Sequence, residues 1–147
     1  MSDPGAGQAL FSFVRHWSRR WNGTADGQRA TRGRDVLAVE AVNALSHRGD
    51  PTVNDVAAEL GLDQSNASRL LTHAARAGYL ALSYSVVDRR QRTVALTESG
   101  HQLLSAAHVW QDSVFEALTA EWTASERAAF ERAMRRLVEK SPDIGSS

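Results

Sequence analysis

TVNDVAAELGLDQSNASRLLTHAARAGYLALSYSVVDRRQRTVALT, residues 52–97, changes its hydrophobic period midway, and that change decides the fold. Thr52 with Asp55 three residues on has the form of a capping box, and Val53, Val56, Ala57 and Leu60 then recur at helical spacing. The spacing predicts a short helix ending at Gly61. Asp63 is placed to cap a second helix, in which Ala67, Leu70, Leu71 and Ala74 make one apolar stripe before Gly78 supplies a left-handed stop. From Leu80 the period becomes two: Leu80, Leu82, Tyr84 and Val86 alternate with Ala81, Ser83, Ser85 and Val87, as in a strand. Asp88-Arg89-Arg90-Gln91 then reads as a polar tip, and Arg92 to Leu96 as a returning strand, which makes a β-hairpin.

A helix, a tight glycine turn, a second helix and a charged hairpin, in that order, is the layout of a winged helix-turn-helix, whose second helix enters the major groove of double-stranded DNA. With the apolar stripe turned inward, Ser65, Arg69, Thr72 and Arg76 lie at the centre of the outward face, flanked by Ser68 and His73. All six can donate hydrogen bonds. Arginine can grip guanine O6 and N7 together, and the N-terminal half of such a helix is the part that reaches base edges, so Arg69 and Ser65 lead as base readers, followed by Gln64 and Asn66. Arg76 is better placed for a phosphate. At the hairpin tip, Arg89 and Arg90 suit the narrow, electronegative minor groove, with the Asp88 carboxylate holding their geometry.

The run Asp88 to Gly100 resembles the wing signature of the MarR (multiple antibiotic resistance regulator) family, in which Asp-x-Arg is followed after five residues by Leu-Thr-x-x-Gly, here Asp88, Arg90, Leu96, Thr97 and Gly100. Gln64 to Leu71 resembles the recognition helix of that family, and Gly78 stands ten residues before Asp88 as the family spacing expects. Leu82 departs from the pattern where a basic residue is frequent, and Ala74 where a larger apolar residue is common. By the resemblance Arg90 is the wing arginine. The resemblance further implies a cytoplasmic homodimer in which the first and last helices of two subunits interlock, with a small molecule bound between the dimer region and the DNA-binding lobe.

The flanks agree with that division. All four Trp (17, 21, 110, 122) and all four Phe (11, 13, 115, 130) lie outside residues 33–100, so bulky apolar surface is concentrated in the terminal helices. Leu10, Phe11, Val14, Trp17 and Trp21 predict a helix over 7–21, broken by the polar stretch to Gly33, and residues 35–47 predict one that is apolar nearly all round and buried. Glu98 to Thr119 and Ser125 to Lys140 predict two more, ended by Pro142 and Gly145. The expected fold is mainly α with a small β-hairpin wing: one domain over 1–147, dimerisation helices at 7–22 and 98–140, the winged lobe at 33–97 and a flexible tail at 141–147. Leu10, Phe115, Leu118, Trp122, Phe130, Met134 and Leu137 are the expected dimer interface.

Glu40 interrupts the apolar helix and needs a partner, either an effector or Arg15, Arg19 or a backbone amide. Phe13, Trp17 and Trp21 line an aromatic effector pocket or are simply core. His101 and His108 are seven residues apart, too far to share an ion easily, so no metal is expected. There is no cysteine, no paired catalytic carboxylates and no phosphate loop, which argues against an enzyme or a bound cofactor. No run is long and apolar enough for a membrane span and no signal peptide is evident, so the expected location is cytoplasmic. Net charge is zero, yet residues 1–34 carry six Arg against two Asp and residues 35–62 one Arg against five acids, which points to specific rather than indiscriminate polyanion binding. The expected function is a sequence-specific regulator, a repressor released by a small molecule and bound to a pseudo-palindromic operator. A winged-helix protein-interaction module and a ligand-independent DNA-binding regulator are the alternatives.

Overall fold

The computed structural model describes residues 2–18, 20 and 29–144. The chain divides into two compact units, Met1–Gln111 and Asp112–Ser147. The first contains α1 (Ala6–Trp17), α2 (Arg29–Leu45), α3 (Val53–Leu60), α4 (Gln64–Arg76), β1 (Leu80–Tyr84), β2 (Arg92–Leu96) and most of α5 (Glu98–Leu118). The second holds the end of α5 and α6 (Ala124–Ile144).

The helix-turn-helix forms for the local reasons visible in its sequence. Thr52 N–H donates to Asp55 Oδ2 at 2.9 Å and Asp55 N–H to Thr52 Oγ1 at 3.1 Å, so both partners of the capping box are present. Gly61 ends α3 at φ 65°, in the left-handed region that costs a residue with a β-carbon more than it costs glycine. Asp63 Oδ1 then accepts the Asn66 amide at 2.7 Å to start α4. At the other end Gly78 sits at φ 92° and the Gly78 and Tyr79 amides close onto Ala75 and Ala74.

Val39 and Val42 of α2, Val56 of α3, Leu71 of α4, Leu80 of β1, Val94 of β2 and Leu104 of α5 meet in one buried cluster. Each such side chain contributes about 1.5 to 3 kcal/mol when fully buried. Ala74 is 0% exposed, and Leu82 packs against the same cluster, so both departures from the family pattern serve the core of this lobe.

The hairpin pairs antiparallel from Leu80 opposite Leu96 to Tyr84 opposite Arg92. Its second strand also pairs on the other side: the Val94 amide donates to Pro51 O at 2.9 Å and Thr52 bridges Thr93. At its base Thr97 Oγ1 donates to Gly78 O and accepts the Gly100 amide at 3.1 Å, capping α5. Gly100 lies so close beneath the Tyr79 carbonyl that a β-carbon there would stand 2.1 Å from its oxygen.

Four boundaries differ from the sequence expectation. α2 begins at Arg29 and ends at Leu45, not 35 to 47, because a lone glycine is a weak breaker and Gly33 sits buried inside the helix. β1 stops at Tyr84 rather than Val87, since Ser85 Oγ accepts the amides of Val87 and Asp88 at 3.2 and 3.3 Å and draws the backbone out of the ladder. α6 runs through Pro142 to Ile144, one turn beyond Lys140, so residues 141–144 of the expected flexible tail are helical, with no proline amide to bond the Val138 carbonyl. α1 ends at Trp17 with Ser18 as its C-cap, and Ser18 and Arg20 are in turn, short of the expected residue 21; Trp21 itself lies outside the described residues.

In the second unit Thr123 and Glu126 form another capping box, with both bonds at 3.1 Å, and hydrogen bonds to the exposed Glu126 carboxyl, first from the Thr123 amide and then from its hydroxyl, hold it below its ordinary value. The stability this adds is present above the unfolded carboxylate range and fades as pH falls through the lowered value. Arg127 donates twice to Thr119 O, at 3.0 and 2.9 Å, and Phe130 stacks on Phe115 with Trp122 edge-on at 5.2 Å. Among the described residues, no helix is long and apolar enough to cross a membrane.

Candidate nucleic-acid interface

α4 turns Ala67, Leu71 and Ala74 into the core and leaves Gln64, Ser65, Asn66, Arg69, His73 and Arg76 exposed, with Ser68 and Thr72 half-buried. The outward face is therefore the one its periodicity predicts. Two of its members have unforeseen partners. Asn66, expected to read bases, donates from Nδ2 to Asp63 Oδ2 at 2.9 Å and accepts Arg69 Nη2 on Oδ1 at 2.9 Å, so its carboxamide links the helix cap to the arginine one turn on. His73 Nδ1 lies 2.9 Å from Asp35 Oδ1, a carboxylate whose side chain is only 3% exposed.

At the wing tip, Asp88 Oδ1 accepts the Arg90 amide at 3.0 Å and its Nε at 3.4 Å, which closes a short turn around the arginine while leaving its side chain 93% exposed. An exposed ion pair of this kind adds little stability. Its effect is on direction. Arg89 is exposed beside it, and Val86 and Val87 stand almost wholly in solvent.

Two open grooves flank α4. One is lined by Arg34 of α2 together with Arg69, Thr72, His73 and Arg76. The other lies between α3, α4 and the wing, where Thr52, Asn54, Gln64, Arg90 and Arg92 meet. Ser68 borders both. Arg34 and Arg92 are not among the residues expected from sequence. The hairpin register points to Arg92, since it sets that residue opposite Tyr84; its guanidinium lies 5.9 Å from that ring. Arg34 and Asp35 precede the expected apolar stretch and carry no periodic signal.

The residues weighed for an effector are placed as follows. Glu40 Oε1 lies 3.0 Å from His108 Nε2 and accepts Gln111 Nε2 at 3.2 Å, so among the described residues its partners come from α5 and not from Arg15 or a backbone amide, and Arg19 lies outside the described residues. Trp17 meets Trp110 edge-on at 6.1 Å and Phe13 at 6.4 Å, while Phe13 itself remains 53% exposed. Of the residues expected at a dimer interface, Leu10, Leu118, Trp122, Phe130 and Leu137 are exposed and Phe115 and Met134 half-buried. No group of three metal-ligating side chains occurs among the described residues.

Three helices around a glycine turn, with an antiparallel hairpin anchored beside the third, define a winged helix-turn-helix protein. Residues 33–91 match the MarR family model. The crystal structure of MarR is similar at a TM-score of 0.77 and 16% identity, over 98% of this chain and 96% of that one. The S. aureus MepR–DNA complex is similar at 0.66 and 18%, covering 93% and 99%. The PcaV transcriptional regulator from Streptomyces coelicolor, in complex with its natural ligand, is similar at 0.59 and 17%, covering 96% and 99%. A comparison with curated proteins gives no match.

Proposed function

We propose that this protein is a sequence-specific regulator that binds double-stranded DNA as a homodimer in the cytoplasm, and a repressor released by a small-molecule effector. The observation that carries this reading is the position of the donor-rich outer face of α4 between two arginine-bearing grooves, Arg34 with Arg76 on one side and Arg90 with Arg92 on the other. Bases are read from the helix and phosphates are held in the grooves. Arg69 and Ser65 address the major groove, with Gln64 and Ser68 beside them; Asn66 steadies Arg69. Thr72 and Arg76 serve the backbone. Asp88 aims Arg90 into the minor groove, where Val86 and Val87 suit the apolar sugar walls.

Homodimerisation is supported by α1 and α6, neither of which has a fully buried residue, with Phe11 64% and Leu137 53% exposed. Two recognition helices would then address successive major grooves about 10 base pairs apart in a pseudo-palindrome. MepR has been crystallised with DNA and PcaV with its natural ligand. In this chain Glu40 of α2 bonds His108 and Gln111 of α5, and Trp17 of α1 meets Trp110 of α5; Phe13, Trp17 and Glu40 are the residues proposed for an aromatic effector. Binding there would favour one of two dimer states and lower operator affinity.

Fluorescence anisotropy on duplexes from upstream of the protein's own gene tests the reading, with binding that weakens steeply as salt is added. Arg69→Ala should cost about 1 to 3 kcal/mol on the operator and relax discrimination at one position per half-site. Arg90→Ala should weaken operator and random duplex alike and lower the salt slope by about one per protomer. Equal losses on both duplexes for Arg69→Ala would make that residue a phosphate contact.

A further inference from the structure

We propose that His73 makes a proton-linked contact to the DNA backbone, with Asp35 as the residue that positions its ring. This rests on the DNA-binding reading above and extends it to a group that titrates. Asp35 is the only charged residue buried among the described residues, at 2% exposure, within a helix whose neighbours Val36, Ala38 and Val39 are core. Burying a carboxylate is costly unless it is paired. Among the described residues its partner is the ring of His73, 38 residues on, which is 45% exposed and faces the groove of Arg34, Arg69 and Arg76.

The bond fixes the chemistry of the ring. An ionised carboxylate only accepts, so Nδ1 must carry the hydrogen that lies between them. In the neutral ring Nε2 is then a bare lone pair. A phosphate oxygen also only accepts, so neutral His73 cannot bond it. Once protonated, the same ring donates from Nε2 while Nδ1–H stays on Asp35. Phosphate contact and proton uptake are therefore one event.

The charged groups around the ring, among the described residues, are Arg34 and Asp35 from α2 and Arg69 and Arg76 from its own helix. The guanidiniums remain charged throughout the working pH range, so they add affinity without adding pH dependence. Operator affinity therefore rises as pH falls.

The experiment is anisotropy with a labelled operator duplex at constant ionic strength between about pH 6 and 8, the span in which histidine changes charge. On the alkaline side each linked proton should weaken wild-type binding by up to about tenfold per pH unit. His73→Gln lies on an exposed helix face and its amide donates at any pH, so it should bind with most of that slope removed and with unchanged circular dichroism. Asp35→Asn, if folded, should give a reduced slope, because the ring loses the charge that fixes its hydrogen. Calorimetry in buffers of different ionisation enthalpy should show proton uptake in the wild type and less in His73→Gln. The same slope in His73→Gln as in wild type, or bound wild type without any slope, overturns this proposal and leaves DNA binding standing. No binding by wild type at any pH and low salt overturns the DNA-binding reading, and this proposal with it.

Discussion

Gly100→Ala should destabilise the fold by about 3 kcal/mol, at a position where the same change usually stabilises. Replacing glycine by alanine within a helix ordinarily gains roughly 0.5 to 1 kcal/mol, since the unfolded chain loses freedom. Here the added carbon would stand 2.1 Å from Tyr79 O and 3.4 Å from Leu96 Cγ. The obstacle is a backbone carbonyl and cannot rotate away. Either α5 or the turn after α4 must move, and the turn carries bonds from both the Thr97 hydroxyl and amide, to Gly78 O and Tyr79 O. Overpacking of about 1 to 3 kcal/mol adds to a weakened cap of about 1 kcal/mol. Thermal unfolding followed by circular dichroism should show a midpoint lower by roughly 10 °C. Gly7, also helical, has nothing within 4 Å of the point a β-carbon would occupy, so Gly7→Ala is the control and should be neutral or slightly stabilising. A midpoint raised by Gly100→Ala would mean that the close approach to Tyr79 is absent.

Leu71→Ala should cost about 3 to 5 kcal/mol, the range for truncating a buried leucine whose surroundings collapse poorly. Leu71 is the largest of the fully buried side chains among the described residues and comes from α4 itself. Its neighbours in the buried cluster are mostly valines and alanines, with no phenylalanine or tryptophan. Short side chains have little reach into a cavity. Urea unfolding should move to a lower midpoint with an unchanged slope. Leu70 is only half-buried, and Leu70→Ala should cost less than half as much. Equal losses for the two would place the inner face of α4 elsewhere.

The parts of the molecule legible in sequence are those governed by local rules. Thr52, Asp55, Gly61, Asp63 and Gly78 each act within four residues of their own position, and each performs the capping or turning role its chemistry predicts. The period-two pattern locates the hairpin, and the period-3.6 stripe orients α4. Long-range features are hidden. Nothing near Asp35 announces a histidine 38 residues away, and nothing near Glu40 announces His108. Gly33 reads as a break because the helix around it is visible only from its packing. The tip misleads for the opposite reason: a local serine bond overrides a periodicity that runs smoothly through Val87.

The pairing of β2 with Pro51 and Thr52 has a consequence for how targets can vary. Those two residues belong at once to the ladder of the wing and to the start of α3, so the span from recognition helix to wing tip is set by backbone bonds. Under the proposed function, a half-site read by this lobe would have a fixed length. Diversity among operators would then arise from the bases within that length and from the gap between half-sites, the one dimension left for an effector to adjust.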